Sequence, residues 1–191
     1  MRGLVIRPVA GTELLSRGAD IRRVYADAFS RHPWNEDATV ADTYIRRLAD
    51  DVTRPGFVAA LAFDAETVVG MATAWTTSAP FPSGRCYPQA AAALGAERTA
   101  DWLCGGREVD ELAVAGAARG RGVGAALLHA VTGDAPDGRC WLLTSVRAPD
   151  VVRFYRRLGW AQATHPAPEG NGIAVFLGPA HPARPAVVGT D

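Results

Sequence analysis

The second half of the chain alternates. β-Rich runs at 109–114, 141–146 and 173–177 are separated by helix-compatible stretches at 122–132 and 150–158. This order constrains the fold more than any other feature, because strand, helix and strand in one sheet imply a parallel crossover. The first half reads differently. Residues 57–63 and 68–77 are β-rich and separated by Asp64-Ala65-Glu66-Thr67, a turn-like interval, so they predict a β-hairpin. Together the halves predict an α/β chain whose mixed sheet contains a parallel segment.

The remaining stretches attach to that frame. Residues 4–8 predict a first strand, and 13–29 carry apolar residues at near-helical spacing, including Leu14, Ile21, Val24, Tyr25 and Phe29. Asp37 or Thr39 can cap a second helix that runs through Leu48, which leaves 31–36 as a loop. Residues 79–84 break regular structure and 89–103 are Ala-rich, so 79–106 reads as an inserted loop and helix. From 179 to 191, proline, glycine and alanine dominate without periodicity, which predicts a disordered tail. One domain over 1–178 is expected, since 191 residues fall within the usual size of a single core.

Composition excludes several functions. Apolar residues make up 48% and charged residues 21%, enough to bury a core without metal or disulfides. Twenty basic residues balance twenty acidic ones, so no positive footprint points to nucleic acid. Cys86, Cys104 and Cys140 lack the paired spacing of a zinc site and read as buried thiols. No secretory core follows the first charges, and no apolar run approaches the roughly 20 residues of a membrane helix. A soluble, cytoplasmic, metal-free protein is the expectation.

The segment Arg119-Gly120-Arg121-Gly122-Val123-Gly124 lies between the strand ending at Val114 and the helix that follows. Its three glycines bare the backbone and permit positive φ. Amides at a helix start lack intrahelical partners and sit at the positive end of the dipole, so a phosphate group suits them. Arg119 and Arg121 can add charge-assisted donors. The spacing matches neither the dinucleotide-binding fingerprint nor a Walker A loop.

Three stretches in order carry a resemblance. Arg119, Gly122 and Gly124 match Arg/Gln-x-x-Gly-x-Gly/Ala; 109–114 precedes them as a strand; and Phe154-Tyr155-Arg156-Arg157-Leu158-Gly159-Trp160 resembles Phe-Tyr-x-x-x-Gly-Phe. With these motifs the chain resembles the GNAT acyltransferase superfamily over about 107–160. The resemblance implies a mixed, mostly antiparallel sheet with a splayed parallel pair formed by its fourth and fifth strands, flanked by helices. It implies acetyl-CoA as co-substrate, with the pyrophosphate on Arg119, Gly120, Arg121, Gly122, Val123, Gly124 and Ala125, and the pantetheine arm along Leu112, Ala113 and Val114. Family members often carry Asn about seven residues before the tyrosine; here Ala148 stands there, so that contact is lost or supplied by Ser145 or Arg147.

In the implied chemistry an amine attacks the thioester directly. The Val114 amide is the candidate for polarising the carbonyl. Tyr155 is the candidate acid, since a phenol with pKa of about 10 stays protonated at neutral pH. Glu111 is the first candidate for the base, with Asp110 its rival; neighbouring strand residues face opposite sides, so one of the two should reach the acceptor. Trp34, Trp75 and Tyr87 are candidates for the acceptor wall. The expected acceptor is a small-molecule primary amine, with a protein amine or a non-catalytic acyl-CoA-binding module as alternatives. The 79–106 insertion can serve as a lid or a homodimer contact.

Overall fold

The computed structural model describes residues 3–32, 34–166 and 172–188. In chain order the strands are β1 Leu4–Val9, β2 Val58–Asp64, β3 Thr67–Thr76, β4 Arg107–Val114, β5 Cys140–Ser145, β6 Ala161–Gln162 and β7 Ile173–Leu177. The helices are α1 Gly11–Ser16, α2 Gly18–Phe29, α3 Ala38–Asp51, α4 Tyr87–Leu94, α5 Ala96–Arg98, α6 Val123–Thr132, α7 Pro149–Arg157 and α8 Arg184–Val188. The strands form one seven-stranded mixed sheet in the order β1-β2-β3-β4-β5-β7-β6, with a parallel β4–β5 pair and flanking helices. The chain divides into two compact units, one of residues 1–75 and 109–133 and another of 76–108 and 134–191.

In the first unit β2 pairs antiparallel with both β1 and β3. Its sequence, Val-Ala-Ala-Leu-Ala-Phe-Asp, is buried along almost its whole length, as expected for a strand with neighbours on both sides. The turn to β3 forces Ala65 to a positive φ of 54°. Helix α2 buries Ile21, Val24, Tyr25 and Ala28, and α3 buries Ala41, Tyr44 and Leu48; these join Leu61, Phe63, Met71 and Ala113 in one core. Burial of a side chain such as Leu48 stabilises the fold by about 2 kcal/mol. Asp37 caps α3 by accepting from the Thr39 amide at 2.7 Å. The single helix expected over 13–29 is broken at Arg17, which has φ −98° and ψ 18°. Gly18 follows it, and glycine is a weak helix former, so the chain can change direction there.

The packing of α6 on the sheet is tight enough to specify glycine beneath it. A Cβ on Gly70 of β3 would approach Leu127 to 2.9 Å and the Ala113 carbonyl to 3.2 Å. Val123, Leu127, Leu128 and Val131 form the buried face of α6.

In the second unit β7 pairs antiparallel with β5 and with the two-residue β6. Tyr87, Ala90 and Leu94 of α4 pack with Leu103, Trp141, Val175 and Leu177. The 89–103 stretch is not one helix. Gly95, at φ 81°, ends α4, and after α5 a π-helical turn covers Thr99–Leu103. Two buried polar pairs lie within this unit: Trp141 donates Nε1–H to Thr77 Oγ1 at 2.7 Å, and the Tyr87 hydroxyl donates to Glu108 at 2.8 Å. Cys140 is buried, which pushes its thiol up to about 11, while Cys86 and Cys104 are half-buried.

Residues 179–188 differ from the disordered tail that their composition predicts. His181 is only 2% exposed, and α8 follows it. Its Nδ1 accepts from the Ala183 amide at 3.1 Å, so Nε2 carries the proton and donates to the Trp102 carbonyl at 2.9 Å. Burial holds this imidazole below its usual pKa. One histidine with both ring nitrogens engaged anchors a segment that has no hydrophobic periodicity. Residues 189–191 of the expected tail lie outside the described residues.

Candidate active site

The glycine-rich loop begins where β4 ends. The Ala115 amide donates to Val69 at 2.9 Å, a short 3-10 turn covers Gly116–Ala118, and the Gly116 amide donates to the Asp27 carboxylate at 2.6 Å. Gly120 and Gly122 take φ of 74° and 79°, and a Cβ on either would meet nothing within 4 Å. Glycine is therefore required here by backbone conformation, and the space beside it stays open to a ligand. Gly122 is the N-cap of α6, and no side chain caps the helix. The first-turn amides of Val123, Gly124 and Ala125 thus have neither an intrahelical acceptor nor a capping oxygen, the arrangement suited to a phosphate group.

The two arginines of the loop do different things. Arg119 donates through Nε to the Val114 carbonyl at 3.3 Å and through Nη2 to the Ala28 carbonyl at 3.1 Å, which ties the loop to the end of β4 and the last turn of α2. Arg121 pairs with Asp64 at 2.7 Å, with both side chains well exposed. An exposed pair of this kind contributes about 0–1 kcal/mol, so its guanidinium can change partners at little cost.

The adjacent carboxylates on β4 also separate. The Asp110 side chain is 1% exposed and accepts from Arg47 of α3 at 2.7 Å. Arg47 approaches the equally buried Asp51 at 2.9 Å, and Asp51 accepts from Arg54 at 2.8 Å. This chain of charges fixes β4 to α3, and removal of one member would strand a buried charge. Glu111 is half-buried, and its charge bears on the hydroxyls of Tyr25 and Tyr44. Leu112 and Val114 are half-buried and Ala113 is buried.

A recess of about 260 Å³ opens between the end of α2 and the start of α3, lined by Tyr25, Phe29, Glu36 and Asp37 among others. Trp34 meets Phe29 edge-on at 5.9 Å beside it. Trp75 is 2% exposed and Tyr87 spends its hydroxyl on Glu108, so both are core side chains here. In the second unit Tyr155 is buried against Trp160 and Phe176, at 5.9 and 6.2 Å between ring centres. Ser145 there accepts from the Arg147 amide at 3.2 Å. Among the described residues no group of three or more His, Cys, Asp or Glu is arranged to hold a metal, and no helix is long and apolar enough to cross a membrane.

The model of the acetyltransferase (GNAT) family matches residues 19–160. The chain belongs to the GNAT family. Solved structures similar to this GNAT chain include a histone acetyltransferase HPA2 and related acetyltransferase from Corynebacterium glutamicum, 18% identical, with a TM-score of 0.62 and coverage of 93% of this chain and 96% of that one. A GNAT-family protein from Desulfovibrio desulfuricans is 19% identical, with a TM-score of 0.57 and coverage of 92% and 96%. A Salmonella typhimurium protein solved with its cofactor acetyl-CoA is 14% identical, with a TM-score of 0.57 and coverage of 92% and 91%. At these identities the likeness is one of fold. No curated protein sequence matches this GNAT chain significantly.

Tyr25 enters the sequence analysis of this GNAT chain only as part of a helix face, and Asp27 and Glu36 are not singled out there; all three line the recess. Their only local signals were a place in a helix or in a loop. What distinguishes them is their shared place in that recess and the bond of Asp27 to Gly116, 89 residues away in sequence.

Proposed function

We propose that this chain transfers an acetyl group from acetyl-CoA to the primary amine of a small molecule. The observation that carries the reading is the uncapped start of α6 behind two left-handed glycines, directly after β4, in a chain of the GNAT family. The pyrophosphate takes the amides of 122–125, with Arg121 released from Asp64 to join them and Arg119 acting mainly as a brace. The pantetheine arm runs beside Leu112, Ala113 and Val114.

The amine nitrogen attacks the thioester carbonyl carbon; the N–C bond forms as the C–S bond breaks. Glu111 takes the proton from nitrogen, directly or through water, while Asp110 is bonded to Arg47. The Val114 amide polarises the carbonyl, and Tyr155, assigned through its motif, protonates the departing thiolate. Trp34, beside the recess, supplies an aromatic contact to the acceptor.

Release of free thiol, followed across a panel of amines, tests this reading directly. Tyr155→Phe should slow turnover by about a hundredfold, within the usual range for a general acid, while acetyl-CoA affinity stays within about twofold. Equal losses in turnover and affinity would reduce Tyr155 to packing.

A further inference from the structure

The recess between α2 and α3 contains three carboxylates, and two are already committed. Asp27 accepts from the Gly116 amide, and Asp37 caps α3 through Thr39. Glu36 differs. Its carboxylate lies near the Tyr25 hydroxyl, and Oε2 is shielded from solvent and has no hydrogen-bond partner. Among the described residues no arginine forms an ion pair with it, and the chain contains no lysine that could. A shielded carboxylate oxygen left in this state is unfavourable until something brings it a donor.

The surroundings suit a cation. Tyr25 and Phe29 stand 4.6 Å apart between ring centres, and Trp34 lies edge-on to Phe29, so aromatic surface flanks the carboxylate. Ring faces attract ammonium groups, and more so where water is excluded. The charges of Glu36 and Glu111 both bear on the Tyr25 hydroxyl. Burial and these two charges push the phenol well above its usual pKa, so it stays a neutral donor. Burial also raises the carboxyl of Glu36. Glu36 lines the recess with Tyr25 and Asp27, and Asp27 is bonded to Gly116, two residues past the end of β4, the strand that carries Glu111.

We propose that Glu36 sets acceptor specificity by holding a second, non-reacting ammonium of a diamine, while the first amine is presented to Glu111. This rests on the acetyl-transfer reading above and adds the class of acceptor to it. Monoamines would reach Glu111 without this anchor, so they should be poorer substrates.

The test compares 1,4-diaminobutane with butylamine, which share a chain length and differ in the second charge. Wild type should favour the diamine in kcat/KM by about tenfold or more, the worth of a charge-assisted hydrogen bond. Glu36→Gln keeps the size of the side chain; it should remove that preference through KM, leaving kcat, butylamine turnover and acetyl-CoA KM within about twofold. No diamine preference in wild type, or equal losses for both amines in the variant, overturns the proposal. If neither amine is turned over, calorimetry with 1,4-diaminobutane in the presence of coenzyme A separates the two readings. Binding by wild type that Glu36→Gln loses keeps the cation site and rejects acetyl transfer to these amines; no binding by wild type rejects the site itself.

Discussion

The glycine-rich loop of the first unit and the aromatic core of the second use buried polar chemistry in opposite ways. Around Trp141, polar groups are answered from within: indole to Thr77, and Tyr87 to Glu108. Around Gly122, amides at a helix start are left uncapped, and the nearby recess leaves Glu36 Oε2 without a partner. Aromatic richness alone therefore does not mark a binding wall. The second unit encloses Trp141 and Phe176, whereas the first sets Phe29 and Trp34 beside a carboxylate oxygen that has no partner.

The comparison breaks most visibly at Trp141. If that ring is purely structural, Trp141→Ala should cost about 3–5 kcal/mol of stability in chemical denaturation, the range for truncating a fully buried aromatic. A loss below about 1 kcal/mol would show that the second unit does not depend on its core as described. At Gly122 the expected loss falls on ligand binding. Gly122→Asp should weaken acetyl-CoA binding by about tenfold or more, because it sets a carboxylate where the pyrophosphate is expected and asks an L residue to adopt φ 79°. Unchanged affinity by calorimetry would remove the loop from the cofactor site.

The smallest effect concerns His181. Its pKa in the folded chain is lowered from 6.5, mainly by burial, so the unfolded chain binds the proton more readily. Stability from this site is present above pH 6.5 and is lost as pH falls from there through the lowered folded value. Thermal melts of wild type between pH 7.5 and 5 should decline more steeply than those of His181→Asn. Parallel slopes would mean that the imidazole does not hold residues 179–188.

Local signals were read well wherever the chain itself enforces the structure. The hairpin of β2 and β3 follows from β-rich runs around a short turn, and the start of α6 follows from glycines that tolerate positive φ. The break at Arg17, the two-residue β6 and the π-helical turn at Thr99–Leu103 have no comparable signal, since they answer to packing on neighbouring elements. The same division runs through the site. Asp110 and Glu111 are chemically alike in sequence, and strand alternation says only that they should part. Their parting is visible through Arg47, which reaches Asp110 from 63 residues away. Glu36 lies in a stretch that reads only as a loop, and the Tyr25 that lines the same recess comes from a helix before it.

The charge chain through Arg47 has a consequence for the conditions under which this protein can work. Amine acetylation speeds up as the acceptor loses its proton, which favours alkaline solution. A lysine in place of Arg47 would begin to discharge there and release Asp51 and Asp110 from their counter-ion. A guanidinium does not. Because the chain has no lysine, its scaffold also offers no ε-amine to compete with the acceptor for the acetyl group. The strand that carries Glu111 is thus held by a side chain that does not compete with the proposed substrate for the acetyl group.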